Sequence, residues 1–331
     1  AGGLRSETYL RIRRHWQFIN ALLLFDIKDN KRYGVHIYGA AKHEVDFASA
    51  CWLYHPDTVT RSLVHDGTGP EPGLRDDEGN WDLRPHRNRI VRVTDETLAL
   101  WHSVLEVEGV PVRSSRMVFA VNQSAAAVLD KVSRSPRISE LGLGFSAGWH
   151  EKNDRTKGYF EPAWGGVAGW AEAILQGPHL HVLTPLYKSP NATMKHNQDW
   201  TATDFEWLPA NALPVTAFKP LGDRARYDRD FGAWPLSEGS VPIRDHFRVA
   251  WRNMADNAGE RTLMPAVIPP KAAHVDGVYA AGFPGQPNSP GVLLLAAFLG
   301  SLANDFSVRT TPKSNIRANV VNRLAIVEGN V

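Results

Sequence analysis

A single cysteine, Cys51, excludes an internal disulfide and any zinc site built on cysteines. It suits a reducing cytoplasm, which is the expected location. Long hydrophobic runs are missing too. The longest, Val292 to Leu299, is far too short to cross a bilayer, so no membrane association is expected. The opening AGGLRSETYLRIRRHW is basic but has no hydrophobic core, which excludes a signal peptide of the usual kind. It also has no initiator methionine, so the chain is expected to be a fragment or a processed piece. Nor is there a large excess of one charge. The 37 Lys and Arg against 35 Asp and Glu leave a net charge of +2, less than a dedicated electrostatic nucleic-acid binder carries.

Catalytic signatures are absent as well. Amino-methyl transfer needs a Gly-rich turn after a first strand for its cofactor. It also needs an Asn/Asp/Ser-Pro-Pro-aromatic motif whose polar groups accept hydrogen bonds from the target amine. ELGLGFSAG at 140–148 lacks the preceding strand and reads as a loop. IPPK at 268–271 has the two prolines without the flanking polar and aromatic residues, and reads as the rigid end of a strand. Pro56-Asp57 has no Asp/Glu-x-Lys at nuclease spacing, and no hydrolase elbow, P-loop or dinucleotide fingerprint occurs. His179 and His181 are placed on one strand face, where two histidines could ligate a metal. No third ligand stands at a telling spacing, and no metal site is expected.

What is present is the composition of a soluble globular protein, 43% apolar and 22% charged, with room for two structural units in 331 residues. Leu10, Arg14 and Phe18 at helical spacing predict a helix over 5–20. ALLLFDI (21–27) and YGVHIYG (33–39) around the polar DNKR predict a strand pair. Residues 66–85, rich in Gly, Pro and acids, read as a long loop. Asp95 is the expected cap of a helix carrying Leu98, Trp101 and Leu105 on one face, and a second helix is expected over 124–133. RDHFRVAWR (244–252) alternates like a half-exposed strand. ILQGPHLHVLTPLYK (174–188), TLMPAVIPP (262–270) and HVDGVYAAGF (274–283) read as further strands. Ser289 and Pro290 should start a helix over 290–306 that is apolar nearly all round and therefore buried.

The basic residues are locally clustered: Arg5, Arg11, Arg13 and Arg14; Arg84, Arg87, Arg89 and Arg92; Lys152, Arg155 and Lys157; Arg309, Lys313 and Arg317. Duplex DNA recognition needs cations and amides for phosphates, and Arg, Lys, Asn, Gln or His for base edges. Three stretches offer both. WHEKNDRTKGYF supplies His150, Lys152, Asn153, Arg155 and Lys157. YKSPNATMKHNQDW supplies Lys188, Lys195, His196 and Asn197. TTPKSNIR supplies Lys313, Ser314, Asn315 and Arg317. Ordinary polar surface loops have the same composition.

LRSETYLRIRRHWQFINALLLFDIKDNKRYGVHIYG resembles the end of the catalytic domain in Type IIG restriction–modification enzymes and PglX-like phage-defence methyltransferases. ILQGPHLHVLTPLYKSPNATMKHNQDW is similar to part of their target-recognition domain. RVAWRNMADNAGERTLMPAVIPPKAAHV and GVLLLAAFLGSLANDFSVRTTPKSN complete the similarity, which keeps its order along most of the chain. The resemblance implies an α+β chain: residues 1–45 as the C-terminal helix-and-hairpin edge of a class I methyltransferase domain, and 46–331 as a DNA-specificity domain. It implies duplex DNA and an upstream methyltransferase domain as partners. S-adenosylmethionine is then the cofactor of the full-length enzyme, with none in this chain. Whether this chain belongs to a DNA adenine methyltransferase, or is a non-catalytic interaction or scaffold module of a phage-defence complex, stays open at this point. With the cofactor and target-amine motifs absent, the purified chain should transfer no labelled methyl group from S-adenosylmethionine to DNA. Transfer by this chain alone would overturn the fragment reading.

Overall fold

The computed structural model describes residues 2–106, 109–194, 196, 198–255, 259–310 and 314–326. It is a mixed α+β arrangement of several small sheets, and it divides into two compact units. One comprises Ala1–Ser135 with Thr310–Pro312. The other comprises Pro136–Arg309 with Lys313–Val331.

In the first unit, helix α1 (Gly2–Arg11) leads into β1 (Ile12–Ile19), followed by β2 (Arg32–Tyr38) and β3 (Asp46–Leu53). Then come α2 (Pro56–Ser62), β4 (Val91–Thr94), α3 (Asp95–Leu105) and α4 (Gln123–Ser133). The sheet order is β2-β1-β3-β4, with β1 and β3 parallel. Trp16 and Phe18 point to one face and pack with Leu53 and Val59, while Ile19 joins Cys51, Trp52 and Tyr54 in a separate cluster.

The helix predicted over 5–20 therefore ends at Arg11, and the first strand of the hairpin lies at 12–19 rather than 21–27. Asn20 is the reason. Fully buried, its Nδ2 donates to Phe25 O (3.0 Å) and Ile27 O (2.8 Å), and its Oδ1 accepts from Phe25 N (3.0 Å). These bonds curl the apolar 21–27 stretch into a connection, with Leu23 in the left-handed region at φ 52°. Leu22, Leu23, Leu24, Phe25 and Ile27 are left exposed.

The long loop over 66–85 closes on Asp82. Its carboxylate accepts from Gly73 N (3.0 Å), Arg84 N (3.0 Å) and Arg84 Nη2 (2.7 Å), and the buried Arg89 donates to Asp82 O at 2.7 Å. Burial alone would raise this carboxyl. The hydrogen bonds from Arg84 and Gly73 and the charge of Arg89 outweigh it and hold the group below the usual carboxylate range. At α3 the cap is Thr94, paired reciprocally with Thr97, one residue before the expected Asp95. Asp95 instead takes Val45 N (2.9 Å) and Arg113 Nε (2.7 Å).

The second unit contains β5 (Gly144–Ser146), α5 (Glu151–Thr156), β6 (Phe160–Gly166), β7 (Ile174–Leu175), β8 (Lys188–Pro190), β9 (Trp200–Ala202), β10 (Val215–Pro220) and α6 (Arg224–Asp230). It continues with β11 (Ala233–Pro235), β12 (Ser240–Pro242), β13 (Arg248–Arg252), β14 (Pro265–Ile268), β15 (Ala273–His274) and β16 (Val278–Gly282). Helices α7 (Gly291–Gly300), α8 (Leu302–Thr310) and α9 (Ala318–Val321) end it. Its main sheet is antiparallel, in the order β14-β13-β16-β5. Strand β13 is central and buried on both faces, not half-exposed as its alternation suggested. Val249 and Trp251 pack with Leu295 and Leu299 of α7, and Ala250 packs with Leu175, Leu180 and Val278. Arg248, fully buried, fits because its guanidinium donates to Ala272 O (2.6 Å) and His246 O (3.2 Å); burial brings its pKa down to about 9. In the 174–188 stretch only the two-residue β7 and the first residue of β8 are strand.

The apolar segment predicted as one buried helix over 290–306 is two helices, and only one side of the first is core. Among the described residues no single helix is long and apolar enough to cross a membrane; α7 and α8, bent by 58°, meet the length and composition of a span only as a pair. Val292, Leu295, Ala296 and Leu299 are buried, but Leu293 is 65% and Leu294 42% exposed. Leu295→Ala should therefore cost about 2–5 kcal/mol and Leu294→Ala less than about 1 kcal/mol. Equal shifts of the two denaturant midpoints would contradict this orientation.

Candidate nucleic-acid interface

The C-terminal end of β13 gathers segments that are far apart in sequence. Arg252 Nε donates to Leu180 O at 2.8 Å, which ties β13 to the 177–188 stretch. Asn253, 7% exposed, donates from its backbone to Gly277 O (3.0 Å) and from Nδ2 to Asp276 O (3.0 Å), and its own carbonyl accepts from Ile316 N at 2.7 Å. Trp251 Nε1 holds Ile316 O at 2.7 Å. Met254 pairs with Asn315, and Ala255 N donates to Ser314 O at 3.1 Å. Asp276 extends the chain of contacts to α5: its N–H donates to Trp149 O (2.8 Å), and its Oδ1 accepts from Glu151 N (3.3 Å).

Two of the three predicted segments, 150–155 and 314–317, are thus fastened to the same strand end, and Lys188 approaches it through Tyr187. His150 caps α5, its Nδ1 accepting from Asn153 N at 3.3 Å, and His150, Lys152, Asn153 and Arg155 are exposed. Lys157 is exposed too, but its ammonium is bound to Asp154 at 2.9 Å, which offsets its charge. Ser314, Asn315 and Arg317 are exposed around the buried Ile316. His196 is exposed in the connection between β8 and β9. Lys195, Asn197 and Lys313 lie outside the described residues.

Around Tyr187 the structure brings the predicted Lys188 together with His181, which was considered only as a metal ligand, and with Arg252, which sequence reasoning passed over. The His181 ring lies 4.5 Å from the Tyr187 ring, the Lys188 ammonium 5.3 Å from it, and the Arg252 guanidinium 5.8 Å. Burial first, and then the positive charges of Arg252, Arg261 and Lys188, hold the His181 imidazole below its ordinary pKa, while Glu260 opposes them. A signal was present in the basic end of RVAWR, but alternation alone did not say what Arg252 would face.

His179 and His181 do not share a face. His179 is fully buried, its Nδ1 accepting from Gln176 N (2.9 Å) and its Nε2 facing Val215 O (2.9 Å), so both nitrogens are occupied. Among the described residues no group of three or more metal-ligating side chains is present. The 140–148 stretch, read as a loop, carries strand β5: Gly142 closes a short turn before it at φ 63°, and a Cβ at Gly144 would meet the Trp234 indole at 2.6 Å.

No protein-family model and no curated protein matches this chain. Among solved structures it is similar to the type IIG restriction endonuclease BpuSI, at 9% identity and a TM-score of 0.30. The match covers 99% of this chain and 38% of that one. At that TM-score the likeness carries no argument about fold or activity.

Two buried histidines make the second unit acid-sensitive. Burial holds His179 at about 4 and His274 at about 3, against 6.5 in the unfolded chain. Between those values the unfolded chain binds more protons, so this stability is complete above about pH 6.5 and is lost as the pH falls toward 4 and then 3. The denaturant midpoint should drop over that range, His179 contributing about 2–3 kcal/mol. His179→Gln should remove part of the slope. A midpoint unchanged between pH 7 and 4.5 would contradict the burial of these rings.

Proposed function

We propose that the chain is the DNA-recognition part of a site-specific N6-adenine DNA methyltransferase of the restriction–modification or phage-defence type. The observation that carries this reading is that 314–316 bonds directly to Asn253 and Ala255, that Glu151 reaches Asn253 through Asp276, and that the Tyr187 ring lies beside Arg252. Lys152, Arg155 and Arg317 are suited to phosphates, and Asn153 and Asn315 to an adenine edge. Rotating an adenine out of the stack costs a few kcal/mol, which contacts on both sides of the site would offset. In this reading S-adenosylmethionine belongs to the methyltransferase domain upstream, and no residue of this chain is assigned to it.

Strand β2 bears on the second expected partner. It is an edge strand without Lys, Glu or Pro, and Val35, Ile37 and Tyr38 on it are about half exposed. Soluble proteins protect such edges or cover them. Continuation of a methyltransferase sheet along β2 would cover this one. The same surface also suits an interaction module that never touches DNA.

Duplex binding separates the two readings. Affinity should fall with salt by about one log–log unit per phosphate contact, and Arg155→Ala and Arg317→Ala should each lower that slope for every sequence. Asn315→Ala should cost about 1–3 kcal/mol on the cognate site alone. Salt-independent affinity, or no duplex binding at low salt, would overturn the DNA reading and leave the interaction module.

A further inference from the structure

The first unit contains a cavity of about 360 Å³. Arg13, Lys42 and Arg92 line it together with Asp46, and Phe47, Ala48 and Ile90 form its apolar wall. Arg13 and Arg92 belong to two of the basic clusters in the sequence, and the reading above gives neither a role. We infer that the cavity is a binding site for a small phosphate ester: the three cations take the phosphate oxygens, and the apolar wall takes the organic part. The inference goes beyond the DNA reading and does not rest on it.

Each cation is placed by its own local structure. Ile12 pairs with Tyr38 and Arg14 with Ile37, so Arg13 is the extra residue of a β-bulge. A bulge re-aims one side chain out of the alternation of its strand. The Arg13 guanidinium donates to the carbonyls of Leu10, Arg11, Ile12 and Ala40, and among the described residues it pairs with no carboxylate. Carbonyls orient it without cancelling its charge. Gly39 leaves it room, since a Cβ there would meet Arg13 Nη2 at 3.0 Å. Lys42 and Arg92 are set by one carboxylate: Lys42 Nζ lies 3.4 Å from Asp46 Oδ2, and Arg92 Nε 2.8 Å from Asp46 Oδ1. Asp46 thus holds two cations with a single negative charge, and the lining stays net positive. Gln123, which also lines the cavity, joins the start of α4 to the apolar wall by donating from Nε2 to Ile90 O at 3.0 Å. Two guanidiniums and an ammonium offer phosphate oxygens strong, charge-assisted donors. The volume falls at the lower end for small-molecule sites, which span roughly 300–1,000 Å³. A phosphate ester with one ring matches such a space. A backbone phosphodiester, flanked by sugars on both sides, matches a cavity with an apolar wall less well.

Calorimetric titration of the full chain with phenyl phosphate tests the site, with phenol and inorganic phosphate as the two halves of that probe. Phenyl phosphate should bind about tenfold or more tightly than phenol, which lacks the charge-assisted bonds. It should bind roughly tenfold more tightly than inorganic phosphate, which leaves the apolar wall in water. Lys42→Gln and Arg92→Gln should each weaken phenyl phosphate by about threefold to tenfold, and Arg13→Gln by about tenfold or more. The Arg92 side chain is 75% exposed, so its variant leaves the core untouched. Together with Lys42→Gln it carries the test if Arg13→Gln disturbs the bulge. No binding of phenyl phosphate overturns the proposal, as does equal affinity for phenol or wild-type affinity in the Lys42 and Arg92 variants. Inorganic phosphate binding as tightly as phenyl phosphate overturns the assignment to an ester. Loss of duplex binding in Lys42→Gln and Arg92→Gln, with no uptake of phenyl phosphate by the unmodified chain, would assign these cations to a DNA backbone and overturn the small-ligand site.

Discussion

Asn253 ties the end of β13 to two other segments of the second unit, the 276–277 turn and Ile316. Its amide, side chain and carbonyl bind Gly277, Asp276 and Ile316 within 2.7–3.0 Å, and the residue is buried, so each bond replaces one to water in a place water does not reach. Strand β13 supplies the rigidity. It is central in its sheet, and Trp251, two residues before Asn253, is fully buried and bonded to the same Ile316. Loops attached to such a point hold their exposed side chains in register although they have little packing of their own. A recognition surface built from loops needs this, because contacts misplaced by an ångström lose much of their directionality.

A nearly neutral total is compatible with the locally clustered cations of the proposed site. Many arginines are committed elsewhere: Arg89 to the Asp82 loop, Arg113 to Asp95, Arg244 to Asp228 and the backbone, and Arg248 to carbonyls inside the core. These guanidiniums fasten irregular backbone by satisfying carbonyls that no sheet reaches. Net charge therefore says little about the surface. In the proposed reading the exposed cations of 152–155 and Arg317 act locally, because a short Debye length makes local charge the quantity that a phosphate senses.

Much of the architecture was legible in the amino-acid order. Helices α3 and α4 and strands β14 and β16 follow from periodicity and helix-breaking residues, although the cap of α3 is Thr94 and not Asp95, and the segments now fastened near β13 were already marked by their mixture of amides and cations. The failures have physical causes. ALLLFDI is apolar enough for a strand, but Asn20 captures its backbone, and a side chain binding five and seven residues ahead leaves no periodic trace. The apolar run at α7 reads as all core, yet Leu293 and Leu294 are exposed. Composition reports the residue, not the side of the helix on which neighbours lie. The grouping of Tyr187 with Arg252 involves a long-range hydrogen bond from Arg252 to Leu180 and was beyond any local pattern.

The central claim is that segments distant in sequence act as one surface because β13 fastens them. Amide hydrogen exchange on the full chain, with and without a saturating duplex, tests it most directly. Binding should slow exchange together at 150–155, 187–188, 252–255 and 314–317, and leave α2 and α4 unchanged. Protection confined to one of these segments, or centred on β2 instead, would contradict the account.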